Sequence, residues 1–212
     1  RFRIHIRAAR RTGKPLIIST GLCTEDEVQT ALETARGNGA REVALLKCSS
    51  AYPSLIEETN LSAIPYMRER FGVPIGYSDH TLGSAVAIAA CALGACIVEK
   101  HVIDARTPPT ADSEFSALPD DLTALVQGCR EAFMARGHGQ LGPTPRESQS
   151  RAFRRSLYAV RDIPAGTAIS RDNVRSVRPG YGLPPKHLPE LIGRKTRRDI
   201  RRGEPITWDI VG

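Results

Sequence analysis

Long apolar runs are missing from this sequence. None approaches the ~20 residues that a membrane helix needs, and no charged start, apolar centre and small-residue cleavage site forms a signal peptide. No membrane association is expected. Aromatic residues are scarce, 5% of the chain with a single Trp, which leaves little to stack on nucleic-acid bases. No helix-turn-helix or zinc-finger spacing appears either, so nucleic acid is not an expected partner. The five cysteines form no Cys-x-x-Cys pair, and their number is odd. That argues against a disulfide framework or zinc ribbon and for reduced, mostly buried thiols of a cytoplasmic protein.

Acidic residues are also in deficit, 23 against 30 basic ones, and the imbalance is local. Residues 1–14 carry six basic groups and no acid, residues 15–145 nine and sixteen, and residues 146–212 fifteen and seven. What remains is ordinary globular composition, 41% hydrophobic and 25% charged over 212 residues, enough chain to bury a core in one or two domains. A neutral-to-acidic middle and a basic end favour two.

Up to residue 140 the pattern is rhythmic. Short apolar β-type runs recur at Leu16–Thr20, Val43–Cys48, Pro74–Ser78 and Cys96–His101, each unbroken enough for a strand buried on both faces. Helical stretches lie between and after them. Thr24 caps the first, with Glu25, Asp26 and Glu27 in its opening turn and Gly37 near its end. Others are expected over Leu61–Phe71, Ser84–Leu93 and Pro119–Ala135. Four such alternations predict a parallel α/β array.

After Leu141 the texture changes. Gly142-Pro143-Thr144-Pro145 reads as a non-helical linker. Beyond it, Asp162-Ile163-x-x-Gly166-x-x-Ile169-Ser170-x-Asp172-x-Val174 recurs 37 residues later as Asp199-Ile200-x-x-Gly203-x-x-Ile206-Thr207-x-Asp209-x-Val211. Two copies of a strand–turn–strand unit predict a small β domain with a pseudo-two-fold core.

In a parallel βα array, functional side chains gather at the carboxyl ends of the strands. Here those ends carry Ser19; Ser49, Ser50 and Tyr52; Ser78, Asp79 and His80; and Glu99, Lys100 and His101. Period-two alternation puts Ser78 with His80, Glu99 with His101 and Ser50 with Tyr52. Two histidines ending successive strands are placed to share one divalent ion, with positions left for water or substrate oxygens. Taken singly, each reads better as a hydrogen-bonded structural residue; it is the pair at matched strand ends that favours the metal. The hydroxyls of Ser19, Ser50 and Ser78, with nearby backbone amides, suit a phosphate.

Pro15–Gly21 (PLIISTG), Leu45–Pro53 (LLKCSSAYP), Gly76–Gly83 (GYSDHTLG), Ala92–His101 (ALGACIVEKH) and Arg178–Gly182 (RPGYG) resemble the sialic acid synthase family. These enzymes condense phosphoenolpyruvate with an acylamino sugar to give nonulosonic acids. The segments around Lys47, Asp112–Ser116, Arg155–Tyr158, Gly182–Pro185 and Pro205–Trp208 look most like pseudaminic acid synthases; N-acetylneuraminate and legionaminate synthases are the alternatives.

The resemblance implies a (βα)8 barrel followed by a small β-rich SAF domain, and a cytoplasmic homodimer whose SAF domain caps the partner barrel. The corresponding division is an unmatched basic stretch over 1–13, a partial barrel over 14–141, a linker over 142–154 and the SAF domain over 155–212. It also implies that His80 and His101 bind manganese or magnesium, and that Ser19 and Ser78 hold the phosphate of phosphoenolpyruvate. Ser50 and Tyr52 fall where substrate is contacted, Asp112 approaches the sugar or its metal, and Arg178 binds the sugar's N-acyl group. Glu99 and Asp79 are expected to orient an imidazole.

Four βα units are half of what a closed barrel needs. The expectation is therefore the C-terminal half of the barrel, a truncated chain inactive by itself. Ile17 and Leu46 are expected to stand open on its inner face.

Overall fold

The computed structural model describes Ile6 and residues 13–212, so all but Ile6 and Gly13 of the 1–13 stretch lies outside the described residues. The chain divides into two compact units, residues 1–139 and 140–212.

The first unit alternates β1 (Leu16–Ser19), α1 (Glu25–Gly37), β2 (Val43–Cys48), α2 (Ala63–Phe71), β3 (Ile75–Asp79), α3 (Ala85–Ala92), β4 (Val98–Lys100) and α4 (Pro119–Ala135). The strands form one curled parallel sheet in the order β1-β2-β3-β4, as the alternation predicts. Short segments suffice because each strand is covered. Leu16, Ile18, Val43, Leu45, Ile75 and Tyr77 face the helices and pack with Leu32, Ile64, Phe71, Ala87 and Leu125 into one core. α1 starts where its sequence says: the Thr24 hydroxyl accepts from the Glu27 N–H, and the Glu27 carboxylate accepts from the Thr24 N–H at 2.7 Å. This capping box satisfies two amides that the first turn would otherwise leave unpaired.

Side chains alternate to the sheet's other face, which the helices do not cover: Ile17 and Ser19, Leu46 and Cys48, Gly76 and Ser78. Ile17 stands 57% exposed there, but Leu46 does not, with 1% exposed. It lies across Gly76, where a Cβ would fall 2.4 Å from Leu46 Cδ2 and 2.8 Å from the Ile97 carbonyl oxygen. The missing side chain is the space that Leu46 fills. The thiols depart from expectation too. Cys91 is buried, Cys23, Cys48 and Cys129 are half-buried, and Cys96 is exposed.

The second unit begins with a surprise of local chemistry. Residues read as a linker contain α5 (Pro145–Ser148), with Thr144 as its cap and Pro145 at its first position. A proline there has no helical N–H to lose, and its fixed φ suits the turn. Then come β5 (Ser156–Ala159), antiparallel to β6 (Val174–Val177), and α6 (Leu188–Leu191).

The 37-residue repeat folds as a pseudo-two-fold. Ile163 and Ile200 exchange both backbone hydrogen bonds, at 2.8 and 2.9 Å. Asp162 accepts from the Arg202 N–H, and its counterpart Asp199 accepts from the Ala165 N–H, each at 2.7 Å. The bridges Tyr158–Pro205 and Lys195–Ala168 are related by the same shift. Equivalent glycines, Gly166 and Gly203, turn with φ of 75° and 85°, a conformation that a Cβ disfavours. On the axis, Ile163, Ile169, Ile200, Ile206 and Leu157 form a core of their own.

Among the described residues no helix is long and apolar enough to cross a membrane.

Candidate active site

The site forms at the carboxyl ends of β2, β3 and β4. His80 follows β3 and His101 follows β4, and both rings come up on the face turned from the helices, with centroids 5.3 Å apart. His80 is buried (6% exposed), whereas the His101 side chain keeps 37% of its surface. Tyr52, from the loop after β2, packs its ring 4.4 Å from that of His80. Phe115 closes the other side, 5.1 Å from His101 and 6.2 Å from His80.

Hydrogen bonds fix what each imidazole offers. His80 Nδ1 lies 2.9 Å from the carbonyl oxygen of Ser49. A carbonyl only accepts, so Nδ1 carries the proton and a neutral ring keeps its lone pair on Nε2. His101 Nδ1 lies 3.4 Å from Asp112 Oδ2, a looser contact of an imidazole nitrogen with a carboxylate. An imidazole with Nδ1 held by an oxygen acceptor and Nε2 left over, as in His80, is the donor arrangement that metal-binding histidines adopt, and the carboxylate beside His101 Nδ1 suits the same role. The residues fit a divalent ion as a two-nitrogen set. Among the described residues, no three His, Cys, Asp or Glu side chains converge on a metal position.

The orienting groups are therefore Ser49 and Asp112, not Asp79 and Glu99. Alternation sends Asp79 to the face opposite His80, where it pairs with Lys100 at 2.9 Å. Glu99 stays on the site face but accepts from the Ser78 hydroxyl at 2.7 Å. Ser78 thus stands beside the imidazoles with its proton already engaged. Ser19 is exposed at the end of β1. Ser50 is exposed too, and its Oγ would lie 2.4 Å from a Cβ on Gly21, so the glycine permits that close approach. Neither joins the histidine cluster through a contact. Arg178 belongs to the second unit, just past β6, and is exposed there.

Two contributors escaped the sequence reading of the site. Phe115 is buried against both imidazoles, and the signal was its position three residues after Asp112. Arg106 organises the loop that carries both. Its guanidinium donates to the carbonyls of Ser113, Glu114 (3.1 Å) and Ser116 (3.2 Å). The Ser116 hydroxyl donates to the Asp112 carbonyl at 2.6 Å, and the Ala117 N–H bonds to the His101 carbonyl at 2.8 Å. The loop is tied back to the strand end that it covers.

Comparison with known proteins gives this geometry a context. A model described as the NeuB family matches residues 3–141, which takes in most of the basic stretch set apart above, and the SAF domain matches residues 154–211. The pseudaminic acid synthase of Campylobacter jejuni (strain 81-176) is 40% identical over 201 residues, 95% of this chain and 59% of that protein. The N,N'-diacetyllegionaminic acid synthase of Legionella pneumophila is 36% identical over 200 residues, 92% of this chain and 56% of that protein. Among solved structures, the N-acetylneuraminic acid synthetase of Leptospira borgpetersenii superposes with a TM-score of 0.65 at 35% identity, covering 69% of this chain and 51% of that one. The chain thus spans less than two thirds of the length of these relatives.

Proposed function

The chain belongs to the NeuB family, and from that premise we propose that it takes part in condensing phosphoenolpyruvate with an N-acylated amino sugar to give a nonulosonic acid. The sugar proposed is 2,4-diacetamido-2,4,6-trideoxy-L-altrose and the product pseudaminic acid, on the strength of the 40% identity to a pseudaminic acid synthase. Legionaminic acid is the second reading, since a relative of that name is 36% identical.

The observation that carries the reading is the imidazole pair, 5.3 Å apart with both Nδ1 atoms engaged. The vinyl carbon of phosphoenolpyruvate attacks the sugar's aldehyde carbon, water adds at the former enol carbon, and phosphate departs by carbon–oxygen cleavage. A bound manganese or magnesium ion would supply Lewis-acid polarisation of the aldehyde oxygen. The chain's own part is to hold the reactants and shape the charge around them. His80 and His101 are assigned to hold that ion. Asp112, whose carboxylate lies 3.4 Å from His101 Nδ1, is assigned to the edge where the sugar arrives. Tyr52 packs against the His80 ring and Phe115 against both imidazoles. Ser19 and Ser78 are assigned to the phosphate, so Ser78 exchanges Glu99 for a phosphate oxygen when substrate binds. The contribution of the serines is positional. Arg178, carried by the SAF domain of a partner subunit in a homodimer, is assigned to the N-acyl group.

Phosphate release, measured with phosphoenolpyruvate, manganese and the diacetamido sugar in a protein that includes this chain, tests the proposal. Turnover should fall at least ~10²-fold in His80→Ala and in His101→Ala, the loss typical of one well-placed electrostatic group. Equal or better turnover of N-acetylmannosamine would move the assignment to sialic acid. Undiminished turnover in both histidine variants would sink it.

A further inference from the structure

Beneath the imidazoles lies a charged pair that the proposed chemistry does not touch. Asp79 and Lys100 are cross-strand partners at the last register position of the β3–β4 ladder. Each immediately precedes one of the two histidines, and each points to the opposite, helix-covered face. Their side chains are 0% and 4% exposed, with Lys100 Nζ 2.9 Å from Asp79 Oδ2. The same ammonium donates to the Thr81 carbonyl oxygen at 2.5 Å. Asp79 Oδ1 in turn accepts from the Thr81 N–H at 3.0 Å and the Thr81 hydroxyl at 2.7 Å. Lys100 therefore holds the residue before His80 and the residue after it, while its own backbone leads directly into His101.

We propose that Lys100 and Asp79 are positioning residues, a clamp that fixes the two imidazoles relative to each other. The physical case starts from cost. Two charges buried this deeply lose several kcal/mol of hydration apiece, and apolar residues of similar volume often serve stability as well or better. A buried pair is thus poorly explained as a source of stability and better explained by the geometry it specifies. What it specifies here is the relation between two strand ends. The β3–β4 ladder has only three register pairs, and both histidines lie just beyond it: their carbonyls accept from Ser54 and Ala117, but the ladder no longer ties the two strand ends to each other. Bonds from one ammonium to both neighbours of His80 replace the missing ladder. With the clamp in place, His80 Nδ1 reaches the Ser49 carbonyl and His101 Nδ1 reaches Asp112. Without it, either ring is free to turn and to place its proton on Nε2.

The inference rests on reading His80 and His101 as one ligand pair, and its test is separable from that reading. The chain is labelled with ¹⁵N-histidine, and imidazole spectra are compared for the parent and Lys100→Met. The parent should show His80 and His101 with Nδ1 protonated. In Lys100→Met both signals should move toward the mixed tautomer values of a free imidazole, while His187 in the second unit stays put. Asp79→Asn/Lys100→Met removes the unpaired buried carboxylate and serves if the single variant fails to fold. Leu32→Ala, a cavity in the same core, controls for lost stability and should leave both imidazoles unchanged. Manganese added to the parent should broaden the His80 and His101 signals, and the concentration required should rise ~10-fold or more in the clamp variants, as when a ligand's orienting partner is lost. No broadening in the parent would end the metal reading, yet the tautomer comparison would still decide the clamp. Parent-like imidazole spectra in a folded variant overturn the proposal. Failure of both variants to fold would overturn it too, in favour of a purely structural role.

Discussion

The pseudo-two-fold of the second unit makes a quantitative demand: equivalent substitutions in the two repeats should cost the same. Asp162 and Asp199 are the sharpest pair. Each accepts one backbone hydrogen bond of 2.7 Å from the other repeat, from Arg202 and Ala165 respectively, and both are exposed. A hydrogen bond to a charged acceptor contributes ~1.5–3 kcal/mol when shielded. Exposure lets water take over the freed amide, so each Asp→Ala should cost ~1 kcal/mol. The chain supplies its own reporter, because its single Trp is Trp208, in the second unit, its ring 5.3 Å from that of His187. Tryptophan emission followed in urea therefore reads this unit without interference from the first. With an m-value of about 1 kcal/mol/M for a unit of this size, both midpoints should fall by ~1 M. Asp→Asn keeps an acceptor at each position and should recover part of the loss. A cost at one position more than twice that at the other, or no shift at either, would refute the symmetry as an energetic fact.

Arg106→Ala should release the loop that carries Asp112 and Phe115, since three carbonyl partners are lost at once; faster amide exchange over 106–116 without a change in the second unit is the expected readout. Hydrogen bonds from Tyr66 and then Arg70 hold the Glu25 carboxyl below its ordinary pKa. The link between α1 and α2 is thus complete above the ordinary carboxylate range and is lost as pH falls through the depressed value; a carboxyl titration by NMR should show the low midpoint, and Tyr66→Phe should raise it. Burial, and then hydrogen bonding with Cys91, push the Cys129 thiol up to about 12. Alkylation at pH 8 followed by mass spectrometry should therefore modify exposed Cys96 well before Cys129. Arg178→Ala should raise the KM for the amino sugar ~10-fold or more with little change for phosphoenolpyruvate, and equal losses for both would remove its proposed role.

The fold was legible where local and global signals agreed. Leu16–Ser19 and Val43–Cys48 read as strands because each is a short apolar run with no polar residue until its end, although β1 is buried on one face only. α1 and α4 have their expected bounds, since Thr24 and Pro119 mark their starts chemically. The repeat was legible because paired Asp and Gly positions are turn requirements, which depend little on context. What was hidden depended on neighbours across the sheet. Nothing along β2 says that Leu46 is covered, because the space it fills belongs to Gly76 on β3. Lys100 is simply one of the polar residues at a strand end until Asp79 is seen opposite it. The same holds for the site. The sequence reading singled out His80, His101 and Asp112, which the fold brings close together, but the group that orients His80 is a backbone carbonyl, and carbonyls have no signature in a sequence.

Charge explains why these residues belong together. On the face that carries the imidazoles, Glu99 and Asp112 contribute two carboxylates. The nearby cations are occupied elsewhere: Lys100 beneath the sheet with Asp79, Lys47 with the Cys48 carbonyl, and Arg106 with loop carbonyls. Phosphoenolpyruvate would bring a phosphate and a carboxylate of its own to this face. Like charges gathered on one face disfavour each other unless a cation intervenes. Two neutral imidazole nitrogens add no charge but supply donors, and such a set suits a divalent ion that offsets the carboxylates before the anionic substrate arrives. The Ser78–Glu99 bond fits the same logic, since it occupies the serine's proton until a stronger acceptor comes. The charge pattern is thus a second reason, besides the motif, for the ion proposed above.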